Sequence, residues 1–276
     1  MSPHVEVIVC LAVVPVAVSI TIGLITRNRS EKMFRLIRPF VVDGGFLGAF
    51  VAVPWTQAIP RQSWMWIPYF TGAAVALSAS AWVRHKIRSN WNCLWALFLL
   101  GAASLLIPAS VGPPAERCGW IVGMALTMLT TLHCHNVVAR RCHPVFVALC
   151  WALICAATAT VLLSVGTVRF AELAIALGAT TLGGALIAAL HADRNIVVYA
   201  APTISIALPA LIFNGYLQQP QEVPLASVVL LLAAPIVILL AQQMPVRRWR
   251  FRWRAAMQTA CMTFVLAGAV FAAVNR

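Results

Sequence analysis

A chain of 276 residues that is 62% hydrophobic and only 10% charged is no ordinary soluble domain, in which charged residues make up about 25%. Its net charge of +13 is scattered over alternate short connections and not gathered on one surface. That argues against nucleic acid, and for topology signalling and attraction to anionic lipid.

Ten apolar stretches, approximately 5–26, 39–55, 65–83, 91–111, 119–138, 144–167, 171–190, 195–215, 225–242 and 255–274, consume nearly the whole chain. Spanning a bilayer takes roughly 20 apolar residues per helix, and backbone groups in lipid must be paired within the segment. The expected fold is therefore all-α: a polytopic integral membrane bundle of about ten transmembrane helices, one domain over residues 1–276. Basic residues crowd every second connection. The first holds Arg27, Arg29, Lys32, Arg35 and Arg38, the third Arg84, Lys86 and Arg88, the fifth Arg140 and Arg141, the seventh Arg194, and the ninth Arg247, Arg248, Arg250, Arg252 and Arg254. Such loops stay cytoplasmic, which places both termini outside a bacterial-type inner membrane.

The first span has no Lys or Arg before it and exceeds the roughly 7–15 apolar residues of a signal peptide core, so it reads as an inserted helix. The second carries Asp43, Gly44, Gly45 and Gly48; Gly44 and Gly48 form a GxxxG pair suited to close helix approach. Asp43 lies five residues past Arg38, about 7.5 Å along a helix. It is read as an interfacial acid paired with Arg35 or Arg38, with a polar pathway as the functional alternative. Trp55, Trp64, Trp66, Tyr69, Trp82, Trp91, Trp120, Tyr216, Trp249 and Trp253 fall near predicted span boundaries, where headgroups suit them. Trp95 and Trp151 sit deeper and are expected to pack between helices.

The fifth span ends in "LHCHNVVARRCHP". His135, Cys142 and His143, with His191 on the same side, are the candidates for a metal site. His133 and His135 are about 200° apart on a helix, on opposite faces, and no CxxC or HExxH spacing is present. Interfacial histidines and lipid-level cysteines are the preferred reading, and no cofactor is expected. The eight cysteines lack a secreted disulfide pattern and suit small buried thiols.

The seventh span offers Thr180, Thr181, Gly183 and Gly184. In the eighth, Pro202 and Pro209 flank Thr203 and Ser205, and Asn214 follows. Each proline removes a backbone hydrogen bond, and freed carbonyls with hydroxyls can line a polar path where a helix is broken. Any substrate pathway is expected beside this span, between the double-glycine helices, while Leu230 and Leu231 face lipid. The ninth connection, "RWRFRWR", interleaves Arg248, Arg250, Arg252 and Arg254 with Trp249, Phe251 and Trp253. Together with Arg247 it reads as a lipid-binding segment.

The halves 1–139 and 140–276 line up loosely as a 5+5 inverted repeat, "GGFLGAFVA" against "GGALIAALHA". No GxSxG, Gly-rich phosphate loop or pair of acids at useful spacing supports an enzyme. The leading expectation is a small transporter or permease for a neutral or weakly polar solute. The alternative is a non-transporting scaffold or accessory subunit. With so few acids in the spans, a facilitator fits ahead of a proton-coupled carrier.

Overall fold

The computed structural model describes residues 3–27, 40–52, 60, 62–80, 91–191, 195–243 and 251–275, and among them every regular element is helical. In chain order these are α1 (Pro3–Arg27), α2 (Phe40–Ala52), a 3-10 turn (Ser63–Trp66) running into α3 (Ile67–Ala79), α4 (Trp91–Leu106), α5 (Pro114–Arg141), α6 (Pro144–Ser164), α7 (Val168–His191), a short α8 (Asn195–Tyr199), α9 (Ala201–Gln218), α10 (Leu225–Gln243) and α11 (Phe251–Val274). Prolines open α5 and α6, where the missing N–H has no partner to lose.

Five segments, Pro114–Arg141, Pro144–Ser164, Val168–Leu190, Leu225–Gln242 and Ala256–Val274, are long and apolar enough to cross a membrane; Leu11–Ile22, Phe40–Val51 and Asn92–Leu106 are shorter apolar helices. Their exposed faces are greasy in stripes at helical spacing: Val122 and Leu126 on α5, Leu182, Leu186 and Leu190 on α7, and Val229, Ile236 and Leu240 on α10. Patches of this kind are unfavourable in water and suit lipid. On α10 the stripe differs from expectation, because Leu231 is buried and Leu230 half-buried; Val229 and Ile236 face outward instead.

α9 is the hub. Every residue from Ala201 to Gly215 is buried, against α3, α4, α5, α6, α7 and α10. A helix enclosed by protein need not be uniformly apolar, and α9 is correspondingly not among the five segments long and apolar enough to cross a membrane. α6 and α7 pack antiparallel through a tight turn at Gly166, whose φ of 77° needs glycine. There Gly166 N–H donates to Leu163 O at 3.0 Å and Thr167 N–H to Leu162 O at 2.9 Å, the paired bonds of a Schellman stop. Trp95 and Trp151 are buried as expected, but so is Trp64, held edge-on between Phe50 at 6.5 Å and Phe170 at 6.1 Å.

The double glycines close around α1. A Cβ at Gly45 would collide with Ser19 and Thr180 and lie 2.8 Å from Pro15 O, and one at Gly183 would lie 2.9 Å from Ser19 Cβ. α1, α2 and α7 thus meet through Ser19, so these glycines serve contact and leave no gap. Gly45→Ala is expected to lower stability by about 1–3 kcal/mol through overpacking, measured as a fall in the thermal midpoint in detergent. Gly101→Ala, whose Cβ meets nothing within 4 Å, is the control and is expected to be neutral or stabilising. Equal stability of both variants would mean that α1 and α2 do not meet at this register.

Candidate functional site

The eighth predicted span is interrupted at a single residue, Ala200, which keeps right-handed helical angles (φ −73°, ψ −14°). α8 ends at Tyr199 and α9 begins at Ala201, with Ala200 between them in a turn. Pro202 explains the position, since in an unbroken helix its ring would clash with the carbonyl four residues back. In the observed structure Pro202 lies in the first turn of α9, which has no such bond to lose. Ala200 N–H donates to Val197 O at 3.2 Å, and Ile204 N–H to Ala200 O at 3.1 Å. Val197 O accepts a second bond from His135 Nε2 at 2.7 Å. A carbonyl only accepts, so Nε2 carries the proton and Nδ1 is the bare nitrogen. Nδ1 has no partner, and a gap that His135 helps to line has a volume of about 10 Å³, at the lower limit for one water. The imidazole stacks on Trp151, with centroids 5.2 Å apart and planes at 27°. Buried His135 is thus the clamp for a helix break.

An open cavity of about 740 Å³ lies against this break, bordered by Val198, Tyr199, Ala201 and Pro202. Ser78 of α3, Asn92 of α4, and Thr130, His133, Asn136 and Arg140 of α5 supply its polar groups. Its size falls within the roughly 300–1,000 Å³ of small-molecule sites. His133 and His135 do point to opposite faces: His133 is exposed and lines the cavity, while His135 is buried.

Of the expected pathway residues, Pro202 borders this cavity and the others are placed elsewhere. Thr203 is buried and donates to Asp43 Oδ1 at 3.3 Å. Ser205 is turned onto Pro202 O at 3.0 Å, Thr180 onto Ala176 O at 2.7 Å, and Thr181 onto Gly178 O at 2.7 Å. Pro209 is buried inside α9. Asn214 donates to Ala210 O at 2.9 Å and accepts from Ser63 Oγ at 3.3 Å, tying α9 to the 3-10 turn. Gly44 and Gly184 approach Ile22 and Val42 closely.

Asp43, expected at the interface with Arg35 or Arg38 as partner, is enclosed by protein. It is 0% exposed, bonded to the hub helix, and its Oδ2 has no hydrogen-bond partner. The Arg35 and Arg38 side chains expected to pair with it lie outside the described residues. Thr71 of α3 also flanks the carboxylate, a neighbour the sequence did not single out; the Thr-Gly pair at 71–72, in an otherwise apolar run, was the available signal.

The metal candidates are not brought together. Among the described residues no group of three His, Cys, Asp or Glu side chains could hold an ion. His135 is used by Val197, Cys142 Sγ accepts from Gln242 Nε2 at 3.1 Å, and His143 is exposed ahead of α6. The His191 side chain lies outside the described residues. So does half of the basic segment, Arg247, Arg248, Trp249 and Arg250, while Phe251, Arg252, Trp253 and Arg254 have helical backbone in α11.

His135→Phe keeps a ring against Trp151 but removes the donor to Val197 O. It is expected to cost about 1–3 kcal/mol, with His135→Ala costing more because it also empties space; thermal unfolding in detergent measures both. Parent-like stability of His135→Phe would mean that the break does not need its clamp.

The chain matches no protein-family model, and comparison with curated proteins and with solved structures finds no significant similarity to any of them.

Proposed function

We propose that the protein is a multi-pass inner-membrane transporter or permease for a small neutral or weakly polar solute. The carrying observation is the broken helix bordering a cavity of about 740 Å³. Discontinuous helices whose freed backbone lines a cavity are how transporters build sites inside the membrane. The lining draws on both halves of the chain, α3, α4 and α5 from the first and the α8–α9 break from the second. Asn92, Thr130, Asn136 and Tyr199 offer both donors and acceptors, which suits a polar uncharged solute.

In this reading ten helical spans cross the membrane, with both termini outside and the odd-numbered connections inside. Ser78, Asn92 and Arg140 lie at the inner ends of their spans, so the cavity opens to the cytoplasm. Leu129 to Arg140 covers about 16 Å of α5, so the cavity penetrates roughly half the hydrocarbon. The basic segment Arg247–Arg254 meets anionic headgroups on the same face. Support for two inverted halves comes from matching packing: α1 on α2 and α4 on α5 in one half, α6 on α7 and α10 on α11 in the other, while α2 meets α7 and α3 meets α9. The match is incomplete, since α1 packs along α7 and α6 makes no comparable interface with α2. The accessory-subunit reading draws on the dense packing of α9 and of the glycine contacts, and it leads if the cavity is closed to water.

Single cysteines at Asn136, Thr130 and Ser78, in a background without native cysteines, are expected to react with a hydrophilic thiol reagent from the cytoplasmic side. Cysteines at lipid-facing Val229 and Ile236 are expected not to react. Protection of all three cavity positions would overturn the transport reading. Reporter fusions at Arg250 and after the C-terminus are expected to report opposite compartments; a cytoplasmic signal from the C-terminal fusion would remove the ten-span topology.

A further inference from the structure

We propose that Asp43 is a proton-binding site, neutral in this conformation, whose exchange of a proton with water sets the state of the adjoining cavity. The proposal rests on the transport reading and makes the carrier proton-coupled, in place of the facilitator suggested by composition.

The argument is one of donors and acceptors. Oδ1 receives the Thr203 hydroxyl at 3.3 Å, and Oδ2 receives nothing. Thr71 stands beside the carboxylate, but its single hydroxyl proton is given to Pro68 O at 2.9 Å. Held there, it gives Asp43 no proton, and a second donor for the carboxylate arises only when that hydroxyl turns from Pro68 O toward Asp43. On the Gly72 side there is slack, since even an added Cβ would stand 3.9 Å from Oδ2. An ionised carboxylate here would keep one oxygen without a donor in a fully buried position, an expensive arrangement in hydrocarbon. A proton on Oδ2 removes the charge while leaving both observed bonds in place, Thr71 to Pro68 O and Thr203 to Oδ1.

No cation substitutes for that proton among the described residues. On α3 the titratable group is Tyr69, which is exposed and about 200° around the helix from Thr71. On α7, exposed Arg169 and half-buried Glu172 lie about 18 Å or more along the axis from Gly184, which meets Val42. On α9, Tyr216 is about 20 Å from Thr203. From α5, His135 borders the small gap shared with Val42 and Ile204, with its proton committed to Val197. The side chains of His4, Glu6, Cys10 and Arg27 on α1, and of His191 on α7, lie outside those described.

Coupling follows from Thr203. It is one residue past Pro202, which borders the cavity, in the first turn of α9. When the proton leaves Oδ2 for water, the carboxylate needs a second donor, and the nearest is the Thr71 hydroxyl, swung away from Pro68 O. The α2–α3–α9 junction therefore has two hydrogen-bond arrangements, one for each protonation state, and the helix that lines the cavity belongs to both.

Infrared spectroscopy of the purified protein tests the proton directly, in a chain with only seven carboxyl side chains. The expected result is a protonated-acid carbonyl band at neutral pH that is lost in Asp43→Asn and shifted in Thr71→Val and Thr203→Val. Absence of that band, with carboxylate bands in its place, overturns the proton site. Coupling is read from the labelling rate of the Asn136→Cys protein with a hydrophilic thiol reagent across pH. It is expected to differ severalfold from the profile of the same protein carrying Asp43→Asn, which reports the titration of the thiol alone. Identical profiles overturn the coupling. A cavity cysteine that never reacts sinks the transport reading and the coupling while leaving the infrared result to decide the proton site.

Discussion

A polar group in hydrocarbon has no water to fall back on, so each must be satisfied by the chain itself. That constraint shapes this molecule at every scale. It makes every regular described element a helix, because a helix pairs its own backbone. It turns hydroxyl after hydroxyl back onto its own helix, as at Thr158, Thr180, Thr181 and Ser205. Where the backbone is interrupted at Ala200, it calls in His135 from a neighbouring helix to bond Val197 O.

The central position of α9 follows from the same balance. A helix facing lipid presents apolar side chains, as the stripes on α5, α7 and α10 do. A helix surrounded by six others is relieved of that demand and can carry Thr203, Ser205, Asn214 and two prolines. Its polar groups then become junctions. Asn214 fastens the C-terminal end to Ser63, and Thr203 fastens the N-terminal end to Asp43. Buried side-chain hydrogen bonds between membrane helices contribute modestly, about 1 kcal/mol each. Loss of one partner is the larger penalty, because the remaining group stays buried and unpaired. Asp43 Oδ2, His135 Nδ1 and Ser19 Oγ are such unpaired atoms. Two of the three belong to titratable side chains that flank the helix break.

Small residues decide which helices meet. The two double glycines allowed either a gap or a close contact, and both press on α1, with Ser19 between Gly45 and Gly183. A missing side chain permits either a gap or a contact, and lipid-embedded helices gain dispersion energy by contact. The cavity lies instead beside the proline-induced irregularity, bordered by Val198, Tyr199, Ala201 and Pro202.

Apolar run length, read from the chain alone, determined the helical class and the apolar character of the exposed helix faces, because these depend on local composition and on the bilayer as solvent. The irregularity of the eighth span was also legible, since proline acts on its own backbone. The opposite orientations of His133 and His135 followed from helix geometry alone. Tertiary structure decided the rest. Whether Asp43 sits at an interface or on the hub helix depends on Thr203, a residue 160 positions away in sequence, and no periodicity within α2 encodes that distance. Whether Leu231 meets lipid or protein depends on how α10 is rotated against its neighbours, and a helix apolar on all sides carries no mark of that rotation.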